Sequence, residues 1–104
     1  MIRQFDVIPN PLPSGREHKP YLICIQHRQL DHLQTRILAP LLSGKAQKEE
    51  TRLHPGFRIG GKAVYLDPAD LVTLPVKRLG KTIANLESAR DKIIAALDLV
   101  FTGI

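Results

Sequence analysis

The sequence predicts an α+β fold that is mainly β: about five short strands, or a small barrel, followed by one C-terminal helix. Three observations predict it. From Ile2 to Val76 the chain breaks into short apolar runs separated by prolines, glycines and charges. From Leu86 onward, apolar residues recur at steps of three and four. Hydrophobic residues make up 43% of the chain, enough for one core without disulfides, so residues 1–104 are expected to form one domain.

The elements follow in order. Ile2 to Ile8 reads as a strand with Phe5 and Val7 on one face. Pro9 to Pro20 holds four prolines and Gly15, so it is a long loop, a kind that often carries function. Tyr21 to Gln26 reads as a central strand, and His27 to Gln34 as a polar connection. Thr35 to Leu42 is a third strand. Its Pro40 has no N–H for a ladder, which predicts an edge or a strand end at that point. Ser43 to Arg52 is a polar surface excursion. Phe57–Ile59, Gly60-Gly61 and Lys62–Leu66 make a hairpin, because two glycines supply the positive φ of a tight turn. Leu71 to Val76 is the last expected strand. Asn85 is the expected helix N-cap, Glu87 favours the positive dipole end, and Gly103 is the expected stop. Leu97, Val100 and Phe101 are placed to pack on the sheet.

Several function classes are disfavoured. Cys24, the one cysteine, lies in an apolar run and reads as a buried, inert thiol, in keeping with a reducing compartment. No apolar stretch is long enough to span a bilayer, and the N-terminus lacks a signal-peptide core, which predicts a cytoplasmic protein without membrane contact. The net charge of +5 favours acidic partners, but the basic residues are scattered and aromatics are few, so sequence-specific nucleic-acid binding is not expected. His18, His27, His32 and His54 lack metal-site spacing, and Ser14, Ser43 and Ser88 lack a nucleophile motif. Glu49-Glu50 reads as solvated charge. No metal, cofactor or catalytic residue is expected.

One feature resists a purely structural account. The helix runs to the last residues and ends Phe101-Thr102-Gly103-Ile104 with a carboxylate, where most domains fray into polar residues. Ile104 either tucks into the core or is displayed on a rigid helix end as an anchor for a partner.

The segments Gln4-Phe5-Asp6-Val7, Tyr21 to Gln26, Leu30-Asp31, Thr35-Arg36-Ile37-Leu38-Ala39-Pro40-Leu41, Leu71 to Val76 and Ile93 to Ile104 occur in a specific order and spacing. Together they resemble the CcdB family of toxin–antitoxin toxins over nearly the whole chain. The resemblance implies an SH3-like small barrel of the CcdB/MazF-like kind, with a small side sheet and one C-terminal helix. It implies a homodimer that binds the GyrA subunit of DNA gyrase, traps the enzyme on cleaved DNA and is neutralised by an acidic, CcdA-like antitoxin. By position, the gyrase contacts would be Asp98, Phe101, Thr102, Gly103 and Ile104, with Gln29 and Leu30 from the connection before the third strand. The best-known members have Trp at Thr102, Ile at Gln29 and Asn at Asp98. Pro11, Ser14 and Arg16 in the proline-rich loop fall where the family contacts its antitoxin.

Two other readings remain open. A MazF-like endoribonuclease shares the barrel, and Arg36 with Thr35, or Arg58, would then act on the scissile phosphate. Thr102 and Gln29 also fit a non-toxic, antitoxin-binding relative.

Overall fold

The apolar runs build seven strands and one α-helix in the computed structural model, which describes residues 1–104. The strands are β1 (Asp6–Pro9), β2 (Tyr21–Cys24), β3 (Thr35–Ser43), β4 (Gly56–Ile59), β5 (Lys62–Leu66), β6 (Val72–Pro75) and β7 (Ala84–Asn85), and the helix is α1 (Arg90–Thr102). Every pairing is antiparallel, in the order β4-β5-β3-β2-β1-β7, with β6 also on β3. The nine-residue β3 is the spine. Its first half pairs β6, its second half pairs β5, and β2 runs along its other side. The result is a nearly closed SH3-like barrel, a small side sheet at β6, and a single C-terminal helix.

Pro40 lies inside this central strand, not at an edge or end. Ile25 N–H bonds the Ile37 carbonyl at 3.1 Å, so in the antiparallel alternation Leu22 and Pro40 form a non-bonded pair. The nitrogen of Pro40 therefore faces away from β2, into the gap where β6 ends at Leu38 and β5 begins at Leu41. No donor is missed there, and the Pro40 carbonyl accepts from Asp67 N–H at 2.9 Å.

Both faces of the sheet are buried. On one, Val7, Ile23 and Ala39 stand side by side and join Phe5, Leu41, Val64 and Leu66, with Ile93 and Ala96 of α1 closing over them. On the other, Ile8, Leu22, Cys24, Leu38 and Leu74 pack under Ile2 and the partly buried Leu12 of the proline-rich loop. Cys24 is fully buried, and that burial pushes its thiol pKa up. A thiol reagent is expected to leave Cys24 untouched in the native protein and to titrate one thiol after denaturation. Rapid native labelling would contradict the packing.

The first strand starts later than its sequence predicts. Arg3 to Asp6 is a tight turn closed by Asp6 N–H on the Arg3 carbonyl, with Phe5 at φ 69°. A bulky residue rarely adopts that conformation. Here the strain is offset by the ring, which is wholly buried in the core. Asp6, itself buried, holds the turn by accepting from Arg3 N–H, Thr82 Oγ1 and Asn85 Nδ2. The Gly60-Gly61 hairpin is as expected: both residues have positive φ, and Ile59 pairs Lys62 across a two-residue turn.

Two departures concern the C-terminal region. Ala84-Asn85, a two-residue segment with no strand signal, pairs β1 as β7. Asn85 is consequently not the α-helix cap. Its Oδ1 accepts from Glu87 N–H at 2.8 Å and starts a 3-10 turn, Glu87–Ala89, that leads into α1.

Candidate functional site

Helix α1 is fixed at one end and free at the other. Near its start, Arg90 lies 5.7 Å from the centre of the Phe5 ring. Lys92 pairs with Glu50 at 2.6 Å, donates to the Gly56 carbonyl at 2.8 Å and covers the Phe57 ring at 4.8 Å. The hydrogen bond from Lys92 holds the Glu50 carboxyl below its ordinary pKa. Ile93 and Ala96 are buried, and Ile94 and Leu97 pack partly against the core. Beyond Leu97 the helix leaves the sheet. Val100 is 37% exposed, Phe101 68% and Ile104 77%. The expected packing of Val100 and Phe101 on the sheet is therefore not formed. The 3.6-residue repeat continues past the end of the surface that α1 covers, because the sheet runs out before the helix does. Ile104 does not tuck into the core; it is displayed at the helix end.

This end is ordered by its own bonds. Gly103, at φ 75°, donates to the Leu99 carbonyl at 3.2 Å and stops the helix in a left-handed cap. Thr102 Oγ1 donates to the Asp98 carbonyl at 2.7 Å and accepts from Ile104 N–H at 3.3 Å. The last turn holds no basic residue, while Asp98 is exposed beside it, so the negative end of the helix dipole is uncompensated. Phe101, Thr102 and Ile104 thus form a preorganised apolar tip with negative potential.

The connection that carries Gln29 and Leu30 is built from inside the protein. Gln26, 5% exposed, donates to the carbonyls of Leu30 and Thr35 and accepts from Ile37 N–H. Arg36, 1% exposed, donates to four carbonyls: Ile2, Leu33, Thr35 and Asp31, at 2.8–3.1 Å. Its guanidinium is 4.0 Å from Asp31 Oδ1, which has no hydrogen-bond partner, so the carbonyls are its real ligands. These two side chains fix the chain ends of a 3-10 turn, Arg28–Leu30, whose start is capped by His27 Nδ1 accepting from Gln29 N–H. Gln29 and Leu30 are exposed on it. Arg28 borders the same concavity as Glu87 and Arg90, at the start of α1. Within the chain, the connection and the helix tip are therefore separated by about the length of the helix, roughly 20 Å for 13 residues.

The proline-rich loop is held by its own polar groups. Asn10 Oδ1 accepts from Leu12 N–H and its Nδ2 donates to the Lys19 carbonyl. Arg16 donates to the carbonyls of Leu12 and Pro11, so its guanidinium is engaged with the loop itself. Ser14 is exposed and Pro11 half-buried. Lys19 pairs with Asp70 at 2.6 Å, and that bond raises the lysine pKa.

The residues of the endoribonuclease reading fare differently from the tip. Arg36 is sealed by carbonyls and cannot reach a phosphate. Arg58 is exposed but donates to the Gly61 carbonyl of its own hairpin. No three His, Cys, Asp or Glu side chains gather around a point where an ion could sit. A concavity of about 740 Å³ lies between the N-terminal turn and Leu79–Thr82; its carboxylate, Asp6, is already bonded on both oxygens. No helix is long and apolar enough to cross a membrane.

Comparison with known proteins bears on the family and the fold. A family model described as CcdB protein matches residues 4–103. Among solved structures, the chain is similar to an endoribonuclease in complex with its cognate antitoxin from Mycobacterial species. That match has 14% sequence identity and a TM-score of 0.78, over 97% of this chain and 95% of the other. At that identity, the likeness is one of fold.

Proposed function

The chain belongs to the CcdB family of toxin–antitoxin toxins, and from that premise we propose that it binds the GyrA subunit of DNA gyrase and holds the enzyme on cleaved DNA. The observation that carries the reading is the exposed, self-capped helix end. A soluble protein gains nothing in its own fold by showing Phe101 and Ile104 to water. A partner that buries them gains apolar area at little ordering cost, because Gly103 and Thr102 already fix the geometry. Asp98 and the negative dipole end favour a partner that places a cation beside its apolar pocket.

The poison needs no chemistry of its own. It stabilises one conformation of gyrase by binding that conformation better than the others. A homodimer would present two identical tips to a two-fold target. In such a dimer, Gln29 and Leu30 of one subunit could meet the same target as the tip of the other, which the separation within one subunit leaves room for. The +5 charge suits an acidic antitoxin, with Pro11, Ser14 and Arg16 on the loop that would meet it. The working compartment would be the cytoplasm, where gyrase and its DNA are.

Purified protein incubated with gyrase, ATP and supercoiled plasmid is expected to yield linear plasmid after denaturation, and to leave RNA intact in a parallel reaction. RNA cleavage without linear plasmid would establish the endoribonuclease reading instead. Expression without antitoxin that leaves growth unaffected would establish the non-toxic relative.

A further inference from the structure

Beside the start of α1, on the side away from the tip, lies an open pocket of about 490 Å³ with no hydrophobic residue in its lining. Arg3, Arg28 and Arg90 converge on it, and His27 borders it. The ion pairs of the protein are Lys19–Asp70, Arg36–Asp31, Lys45–Glu17 and Lys92–Glu50; none engages these three arginines. Glu87 is the one acid on the rim, so the cations outnumber it three to one.

Each arginine stands on fixed backbone. Arg3 opens the turn closed by the strained Phe5 and bonded to Asp6. Arg28 lies in the capped 3-10 turn. Arg90 rests over the Phe5 ring. The amides at the pocket are committed elsewhere, Gln4 to the Ile25 carbonyl and Asn85 to Asp6 and the Gln4 carbonyl. The free donors are therefore the guanidinium groups, which match phosphate oxygens in fork geometry.

We propose that this pocket docks the phosphate backbone of double-stranded DNA, without reading its sequence. An acidic protein segment would want apolar anchors as well as cations, and the lining offers none. A single strand would want an aromatic platform, and Phe5, the ring nearest the pocket, is buried beneath Arg90. Backbone phosphates need neither. The inference goes beyond the gyrase reading and does not depend on it, because the test uses the protein and DNA alone.

Binding of a labelled duplex of arbitrary sequence to the full chain is measured by anisotropy across a salt series. Three phosphate contacts give a log–log slope near about −2.7, or about 40-fold weaker binding from roughly 50 to 200 mM salt. The pair Arg3→Gln and Arg28→Gln, whose guanidinium groups bond nothing else in the chain, is expected to flatten the slope by about two. Arg28→Glu alone, on an exposed turn, is expected to weaken binding in the same direction. Lys48→Gln with Lys62→Gln removes the same charge elsewhere and is expected to leave binding within about twofold. Equal loss in the lysine pair would mean a diffuse field and overturn the site, as would unchanged binding in the arginine variants. Tighter binding of single strands overturns the duplex assignment. Displacement of the duplex by a polyglutamate peptide at lower concentration, with the same arginine dependence, would assign the pocket to an acidic protein.

Discussion

Phe101→Ala is expected to weaken binding to GyrA about 30- to 1,000-fold while leaving the melting temperature almost unchanged. Phe101 is 68% exposed and belongs to neither core cluster, so removing its ring takes little from the fold. Exposed substitutions of that kind stay within about 0.5 kcal/mol of stability. An aromatic anchor buried at the centre of an interface is worth roughly 2–4 kcal/mol when truncated, which is the stated loss of affinity. The anchor matters more here because Thr102 stands where the best-known family members carry Trp. Thr102 cannot supply a comparable apolar area; its hydroxyl instead ties Asp98 to Ile104 and stiffens the tip. Titration of GyrA with the variant, alongside thermal melting, checks both halves. A large drop in melting temperature would mean that Phe101 is structural.

Arg36→Ala is expected to destabilise the fold by about 3–5 kcal/mol, enough to lower the melting temperature by more than about 12 °C. The loss is large because four carbonyls, that of Ile2 buried and the other three partly so, would lose the guanidinium they share, and the Asp31 carboxyl would lose its nearest cation. Arg36→Lys is expected to fall between the two proteins, since an ammonium cannot span four acceptors with the guanidinium fork. Thermal melting of the three proteins orders them. A near-native melting temperature for Arg36→Ala would show that the connection holds without its central donor, and would return Arg36 to the candidates for other work.

The two readings of Arg36 show what a sequence alone conveys. In sequence, Thr35-Arg36-Ile37 looks like a strand with a charge in it, and a charge in a strand suggests chemistry. The structure turns that charge inward onto carbonyls, and nothing in the spacing reveals carbonyls. Gln26 has the same history: a polar end to an apolar run that proves to be the staple of the following connection. Elements driven by periodicity were legible, namely β2, the Gly60-Gly61 hairpin and the helix with its Gly103 cap. Elements driven by tertiary contacts were not. β7 exists because Asp6 and Val7 offer it a partner, and Phe5 adopts positive φ because the core rewards its ring. Pro40 departs from its expected place for a related reason. Its missing donor predicts an edge, but a strand that changes partners has a local edge in its middle. At the site, the apolar tip was visible as an unusual ending, whereas Arg3, Arg28 and Arg90 were invisible as a group. They are far apart in sequence, and only the fold brings them together.

The central claim is that the helix end is a recognition element and not part of the fold. Gyrase-mediated plasmid cleavage by the full chain, compared with the chain lacking Gly103 and Ile104, tests it most directly. Linear plasmid with the full chain and none with the truncated protein, both folded and equal in oligomeric state, is the outcome the account requires. Equal cleavage by both, or a truncated protein that no longer folds or associates, would contradict it.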